Sequence, residues 1–167
     1  MNDKKTQSGA RVIRVYADTS VFGGMHDEEF AEPTKIFFEQ VREGRFRLVT
    51  SAVVREELTA APERVRRLFD EMARLAEVAG VTEDGLRLQQ GYLDAGILTP
   101  NWETDALHVA LASVSRCAVI VSWNFHHIVH FQKIPLYNAV NRLHGFPELG
   151  IYSPREVIQY ENEDEVI

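Results

Sequence analysis

Apolar residues along this chain follow two alternating rhythms, short continuous runs and stripes that recur every three or four positions, the pattern of strands exchanged with amphipathic helices. The first run, Val12-Ile13-Arg14-Val15-Tyr16-Ala17, predicts a strand, and residues 46–50 predict a second. Between them, Pro33 at a first-turn position and Gly44 at the far end bracket a helix with Ile36, Phe37, Gln40 and Val41 on one face. A helix from Ala52 carries Val53, Val54, Leu58 and Ala61 at core-facing spacing until Pro62 interrupts it. The next is strongly amphipathic, with Val65, Leu68, Phe69, Met72 and Leu75 on one side and Arg64, Arg66 and Arg67 near its start. Residues 78–81 read as a short strand, and Thr82 caps a helix toward Leu93 in which Gly85 and Gly91 are weak points. Thr104-Asp105 opens a helix that is apolar nearly all round through Val114, so it belongs at the centre of the molecule. A strand ending at Val121, a helix over 136–143, a strand Gly150-Ile151-Tyr152 and a capping box in Ser153-Pro154-Arg155-Glu156 complete the series. This order predicts an α/β fold, a three-layer sandwich around a central, mainly parallel sheet of four to five strands. One domain is expected over residues 11–160, between a polar tail at 1–10 and an acidic tail at 161–167 that contains Glu161, Glu163, Asp164 and Glu165.

Composition narrows the classes. At 167 residues with 45% hydrophobic content, the chain has the material for one domain core. Cys117 is the only cysteine and sits at the start of an apolar strand, so no intramolecular disulfide can form and a reducing, cytoplasmic setting is expected. No segment approaches the roughly 18 consecutive apolar residues of a membrane span. A formal charge of −7, from 18 basic and 25 acidic residues, argues against broad nonspecific attraction to nucleic acid. It leaves open a nucleic-acid substrate at a cation-bearing site, because bound divalent ions would invert the local charge.

Three carboxylates far apart in sequence, Asp18, Glu57 and Asp105, fall where a parallel α/β fold would gather them outside the carboxyl ends of its strands, the place where such folds bind ligands. Their convergence would make a divalent-cation site. Each also has a plainer reading. Asp18 follows the first strand in Tyr16-Ala17-Asp18-Thr19-Ser20, and taken alone a helix cap explains it better. A haloacid-dehalogenase-type phosphatase would need a second aspartate where this chain has Ser20. Glu56 and Glu57 lie about 100° apart on a helix, and Glu57 shares the inward stripe. An inward carboxylate needs a partner. A metal ion is one candidate; Arg55 or another arginine is the other. Asp105 lies in the first turn of an apolar helix, where the helix dipole favours an anion, and capping alone would account for it. His108, one turn on, can touch substrate or order a ligand, although a hydrogen-bonded core histidine is commoner. In Ser122-Trp123-Asn124-Phe125-His126-His127, Asn124 can offer a neutral oxygen to a metal or its water and Ser122 can hold a phosphate oxygen; turn formation is the plainer reading of both. His126 and His130 have the spacing of a zinc pair, but without thiolates or an HExxH pattern a histidine cluster near substrate fits better.

From about Arg14 to Ile158 the chain resembles PIN-domain proteins, the ribonuclease fold that includes VapC-type toxins. The segments that carry the resemblance are Asp18-Thr19-Ser20-Val21-Phe22, Ser51 through Glu57-Leu58, Asp105-Ala106-Leu107-His108-Val109-Ala110 and Val121-Ser122-Trp123-Asn124-Phe125. The resemblance implies Mg²⁺ or Mn²⁺ bound by Asp18, Glu57 and Asp105, and hydrolysis of RNA to leave a 5′-phosphate and a 3′-hydroxyl. Asn124 stands where many of these nucleases have an aspartate; a neutral amide attracts a second cation less, so the fold is implied more strongly than the activity. Thr19, Ser122, Arg55, Lys133 and His126 are candidate substrate contacts. An antitoxin partner and a homodimer are further implications. The rival expectation is a catalytically impaired module that binds RNA or protein, and a third is a small-molecule phosphoesterase using the same site.

Overall fold

The computed structural model describes residues 11–160, so both terminal tails expected from the sequence lie outside the described residues. Five strands form one sheet: β1 (Ile13–Ala17), β2 (Phe46–Ser51), β3 (Glu77–Ala79), β4 (Val119–Val121) and β5 (Gly150–Tyr152). Their order is β3-β2-β1-β4-β5, and every neighbouring pair is parallel. The chain runs outward from β1 through β2 to β3, then returns to the other side of β1 for β4 and β5. The strand order therefore reverses between β1 and β4, with Ala17 in register with Val121. All strands being parallel, their carboxyl ends share one edge.

Helices cover both faces. Side chains alternate along β1, so Val15 and Ala17 join one core with Phe46, Leu48 and Val121, while Tyr16 joins the other with Val49, Ile120 and Ile151. The first core is closed by α1 (Thr19–Gly24), α2 (Ala31–Arg42) and α4 (Glu63–Ala73), which contribute Phe22, Phe37, Phe38, Phe69 and Met72. The second is closed by α5 (Glu83–Asp94), α6 (Glu103–Val114) and α7 (Ile134–Leu143), through Leu88, Tyr92, Leu111, Tyr137 and Val140. Burial of each large apolar side chain stabilises the fold by about 1.5–3 kcal/mol. The architecture is thus three-layered α/β with a wholly parallel sheet, consistent with a PIN-like fold.

Local signals explain most boundaries. The Thr82 hydroxyl accepts the Gly85 N–H at 3.1 Å and so caps α5. The expected capping box opens α8 (Pro154–Val157), with Glu156 Oε2 accepting the Ser153 N–H at 2.7 Å. Other details differ from the pattern reading. The helix from Ala52 is only α3 (Ala52–Glu57), continued by a 3₁₀ turn (Leu58–Ala60), so Glu57 ends the helix. Leu75 lies past the end of α4 and is 57% exposed, because the turn after Ala73 leaves the amphipathic phase. A 3₁₀ turn (Pro100–Trp102) precedes α6 and moves Asp105 to its third residue. Among the described residues no helix is long and apolar enough to cross a membrane.

Candidate functional site

The crevice between β1 and β4 is built from the residues that follow each strand. Asp18 leaves β1 and Ser122 leaves β4; register sets them side by side, and the Ser122 hydroxyl donates to Asp18 Oδ2 at 2.6 Å. The Ser20 hydroxyl donates to Oδ1 at 2.6 Å, so both carboxylate oxygens are held. Asp18 occupies the N-cap position of α1; its carboxylate makes no side-chain cap hydrogen bond within bonding distance, although the Val21 N–H still favours its ionised form. The serines are themselves fixed: Ser20 Oγ accepts the Trp123 N–H at 2.8 Å and Ser122 Oγ accepts the Asn124 N–H at 2.9 Å. Asp18 is 3% exposed. Burial pushes its carboxyl above the usual range, against the influence of His108 and the two hydroxyls. Among the described residues no lysine or arginine pairs with it.

Glu57 approaches from the end of α3. Its Oε1 accepts from the Thr19 hydroxyl at 2.8 Å and lies 2.5 Å from His108 Nε2. Burial raises its proton affinity, but the hydrogen bonds of His108 and the Thr19 hydroxyl outweigh it and hold the carboxyl below its usual value. The side chain is 38% exposed. Its partners are thus Thr19 and His108. Arg55, the alternative partner by sequence, points the other way, its guanidinium 5.6 Å from the centre of the Phe69 ring in a pocket shared with Leu58, Thr59, Arg66 and Asp70.

Asp105 is half-buried one turn before His108, and its charge acts on His127. Asn124 is committed to the loop: its Oδ1 accepts the His127 N–H at 2.9 Å, which is the turn-forming reading of that residue. His126 is exposed, its ring 4.4 Å from that of His127, which in turn lies 4.3 Å from Trp102. Burial, with His126, Lys133 and His130, lowers the His127 pKa against the pull of Asp105. Lys133 donates to the Ile97 carbonyl at 2.6 Å, tying this loop to the segment before α6.

Ser20 and Ser122 therefore hold Asp18, Thr19 and His108 hold Glu57, Asp105 stands one turn before His108 with its charge acting on the histidine loop, and Arg55 is apart. Pattern reading weighed His108 without giving it a partner and missed Ser20, Tyr16 and Ser51. Ser20 had one signal, its i+2 spacing from Asp18; Tyr16 and Ser51 look like ordinary strand residues. The donor chemistry, carboxylates and hydroxyls without thiolates, suits a hard cation, and Glu57 Oε2 has no hydrogen-bond partner among the described residues. Among the described residues no three His, Cys, Asp or Glu side chains stand close enough to enclose an ion. That is compatible with Mg²⁺, which is commonly held by one or two carboxylates together with water and substrate phosphate.

No family model matches the chain, and no curated protein does. Its fold is similar to that of a chain in the crystal structure of VapBC2 from Rickettsia felis bound to a DNA fragment from their promoter, with a TM-score of 0.53 over 83% of this chain and 97% of that one at 13% identity.

Proposed function

We propose that this protein is a metal-dependent endoribonuclease, the toxin of a toxin–antitoxin pair. The observation that carries the reading is Asp18, an almost fully buried carboxylate at the point where strand order reverses, held by two serine hydroxyls and left without a lysine or arginine partner among the described residues. A buried charge of this kind is costly, and a divalent cation would offset the cost. Asp18 and Glu57 would hold Mg²⁺ or Mn²⁺; the family resemblance adds Asp105 from α6, which among the described residues does not stand close enough to the other two to enclose an ion with them. When bound, the ion supplies Lewis acidity toward phosphoryl oxygens and a lowered pKa for water. Ser20 and Ser122 keep the Asp18 oxygens fixed, Thr19 and His108 do the same for Glu57, and the exposed His126 meets the RNA backbone. The likeness to a VapBC2 chain supports an antitoxin that covers this edge, and the family resemblance supports a homodimer.

The test is calorimetric titration of Mn²⁺ into the wild type and Asp105→Asn, with cleavage of a mixed RNA pool with and without metal. Binding and cleavage by the wild type, both lost in the variant, are expected. A wild type that binds no Mn²⁺ would sink the reading. One observation favours a second: Asn124 is neutral and its side chain closes a turn, which suits a catalytically impaired module that binds RNA or protein. If Asp18→Asn retains RNA affinity and any growth phenotype, the second reading replaces the first.

A further inference from the structure

His108 is joined on both sides. Nε2 lies 2.5 Å from Glu57 Oε1, and Nδ1 lies 2.8 Å from the Tyr16 hydroxyl. Tyr16 Oη lies 2.8 Å from Ser51 Oγ, which accepts the Val54 N–H at 3.3 Å. Tyr16 and Ser51 are wholly buried and His108 is 2% exposed. These contacts join residues 92, 51 and 35 positions apart in the chain.

The direction of the chain of hydrogen bonds follows from its two ends. The ionised Glu57 carboxylate can only accept, so Nε2 must carry a proton. The Val54 N–H can only donate, so Ser51 Oγ accepts there and its own proton has one partner among the described residues, Tyr16 Oη. The phenol then donates to Nδ1. Every donor meets an acceptor, whereas reversing the Ser51–Tyr16 bond would leave the buried serine proton with none, which is costly for a buried polar group.

We propose that His108 is a positioning residue: fixed by Ser51 and Tyr16 as the Nε2–H tautomer, it shares Glu57 Oε1 with the Thr19 hydroxyl and leaves Oε2 as the oxygen that meets a cation. The last step rests on the proposed function; the tautomer does not. Histidine ligands are commonly fixed by an outer partner in this way, and here the logic is transferred to a carboxylate.

Two measurements test it. Ring ¹⁵N NMR of histidine-labelled wild type should show His108 protonated on Nε2 with a hydrogen-bonded Nδ1. Tyr16→Phe, which removes only the phenolic oxygen, should shift the Nδ1 resonance to that of a lone pair without a donor. In parallel, Mn²⁺ affinity should fall about 10-fold in Tyr16→Phe and in His108→Leu, and return to within about threefold of wild type in His108→Gln, whose amide can still donate to Glu57. Thermal melts establish that each variant is folded. A wild-type proton on Nδ1 would overturn the proposal, as would an Nδ1 resonance unmoved in Tyr16→Phe, or unchanged Mn²⁺ affinity in both Tyr16→Phe and His108→Leu. A wild type that binds no Mn²⁺ removes the nuclease reading, and the NMR result then decides the positioning role by itself.

Discussion

Asp18 and Glu57 face the same histidine, but one is shut from water and the other keeps 38% of its side chain exposed, and their proton affinities move in opposite directions. The consequences for the metal-free protein have opposite signs. For Asp18, both folded and unfolded chains carry the proton below the ordinary value of 3.8. As pH rises above it the unfolded chain ionises first, so stability falls until the folded carboxyl ionises too, and the deficit then stays constant. For Glu57, depressed below 4.5, the contribution is favourable above that value and is lost as pH falls through the folded pKa. In chelator, Asp18→Asn should melt higher than wild type at neutral pH, with the advantage shrinking below about pH 4; Glu57→Gln should melt lower, with its deficit shrinking in acid. Melting curves from about pH 3 to about pH 8 check both signs. A stabilising Asp18→Asn that also abolishes Mn²⁺ binding is the usual exchange between stability and function at such a site.

Among the elements, α1 is the one that the hydrophobic pattern did not predict, because Val21-Phe22-Gly23-Gly24 is too short to establish a helical period. It forms against the loop after β4, and Gly24 permits the approach: a Cβ there would stand 2.7 Å from Trp123 Nε1 and 2.8 Å from Cδ1. The indole cannot yield easily, since it stacks on Phe30 at 4.2 Å and donates to Thr34 Oγ1 at 2.9 Å. Gly24→Ala should therefore cost about 1–3 kcal/mol in urea unfolding, while Gly23→Ala, whose Cβ meets nothing within 4 Å, should be tolerated. The same junction places Ser20 against the Trp123 N–H, so Gly24→Ala should also weaken Mn²⁺ binding through Asp18.

At the scale of the whole molecule, the charge of −7 opposes RNA, and any attraction must be local. A cation held by Asp18 and Glu57 would reverse the sign of the potential at the strand edge alone. Fluorescence anisotropy with a single-stranded RNA should accordingly show no association in chelator, association in Mn²⁺, and none in Asp18→Asn under either condition. Metal-independent binding of equal strength would place the RNA surface elsewhere.

The sheet was legible in the sequence because buried parallel strands are short apolar runs, and β1, β2, β4 and β5 are such runs. Glu57 was separable from Glu56 by helical phase, and Asp18 was marked by its place after a strand. Local chemistry also settled the caps at Thr82 and Ser153. The sequence could not determine the partners. Arg55 was a fair candidate for Glu57 by proximity along the chain, yet it faces Phe69, because two residues along a helix set the two side chains about 200° apart. Asn124 could serve a metal or close a turn, and in the folded loop its Oδ1 closes the turn. Tyr16 carries no local mark of function, and Ser51 is marked only as the first residue of a segment that carries the family resemblance. The periods of helix and strand come from neighbours in sequence, so the chain by itself determined most of the elements and the positions of its carboxylates; strand order and parallel register come from contacts between residues distant in the chain, so only the tertiary structure decided that Ser122 would hold Asp18 and that His108 would hold Glu57.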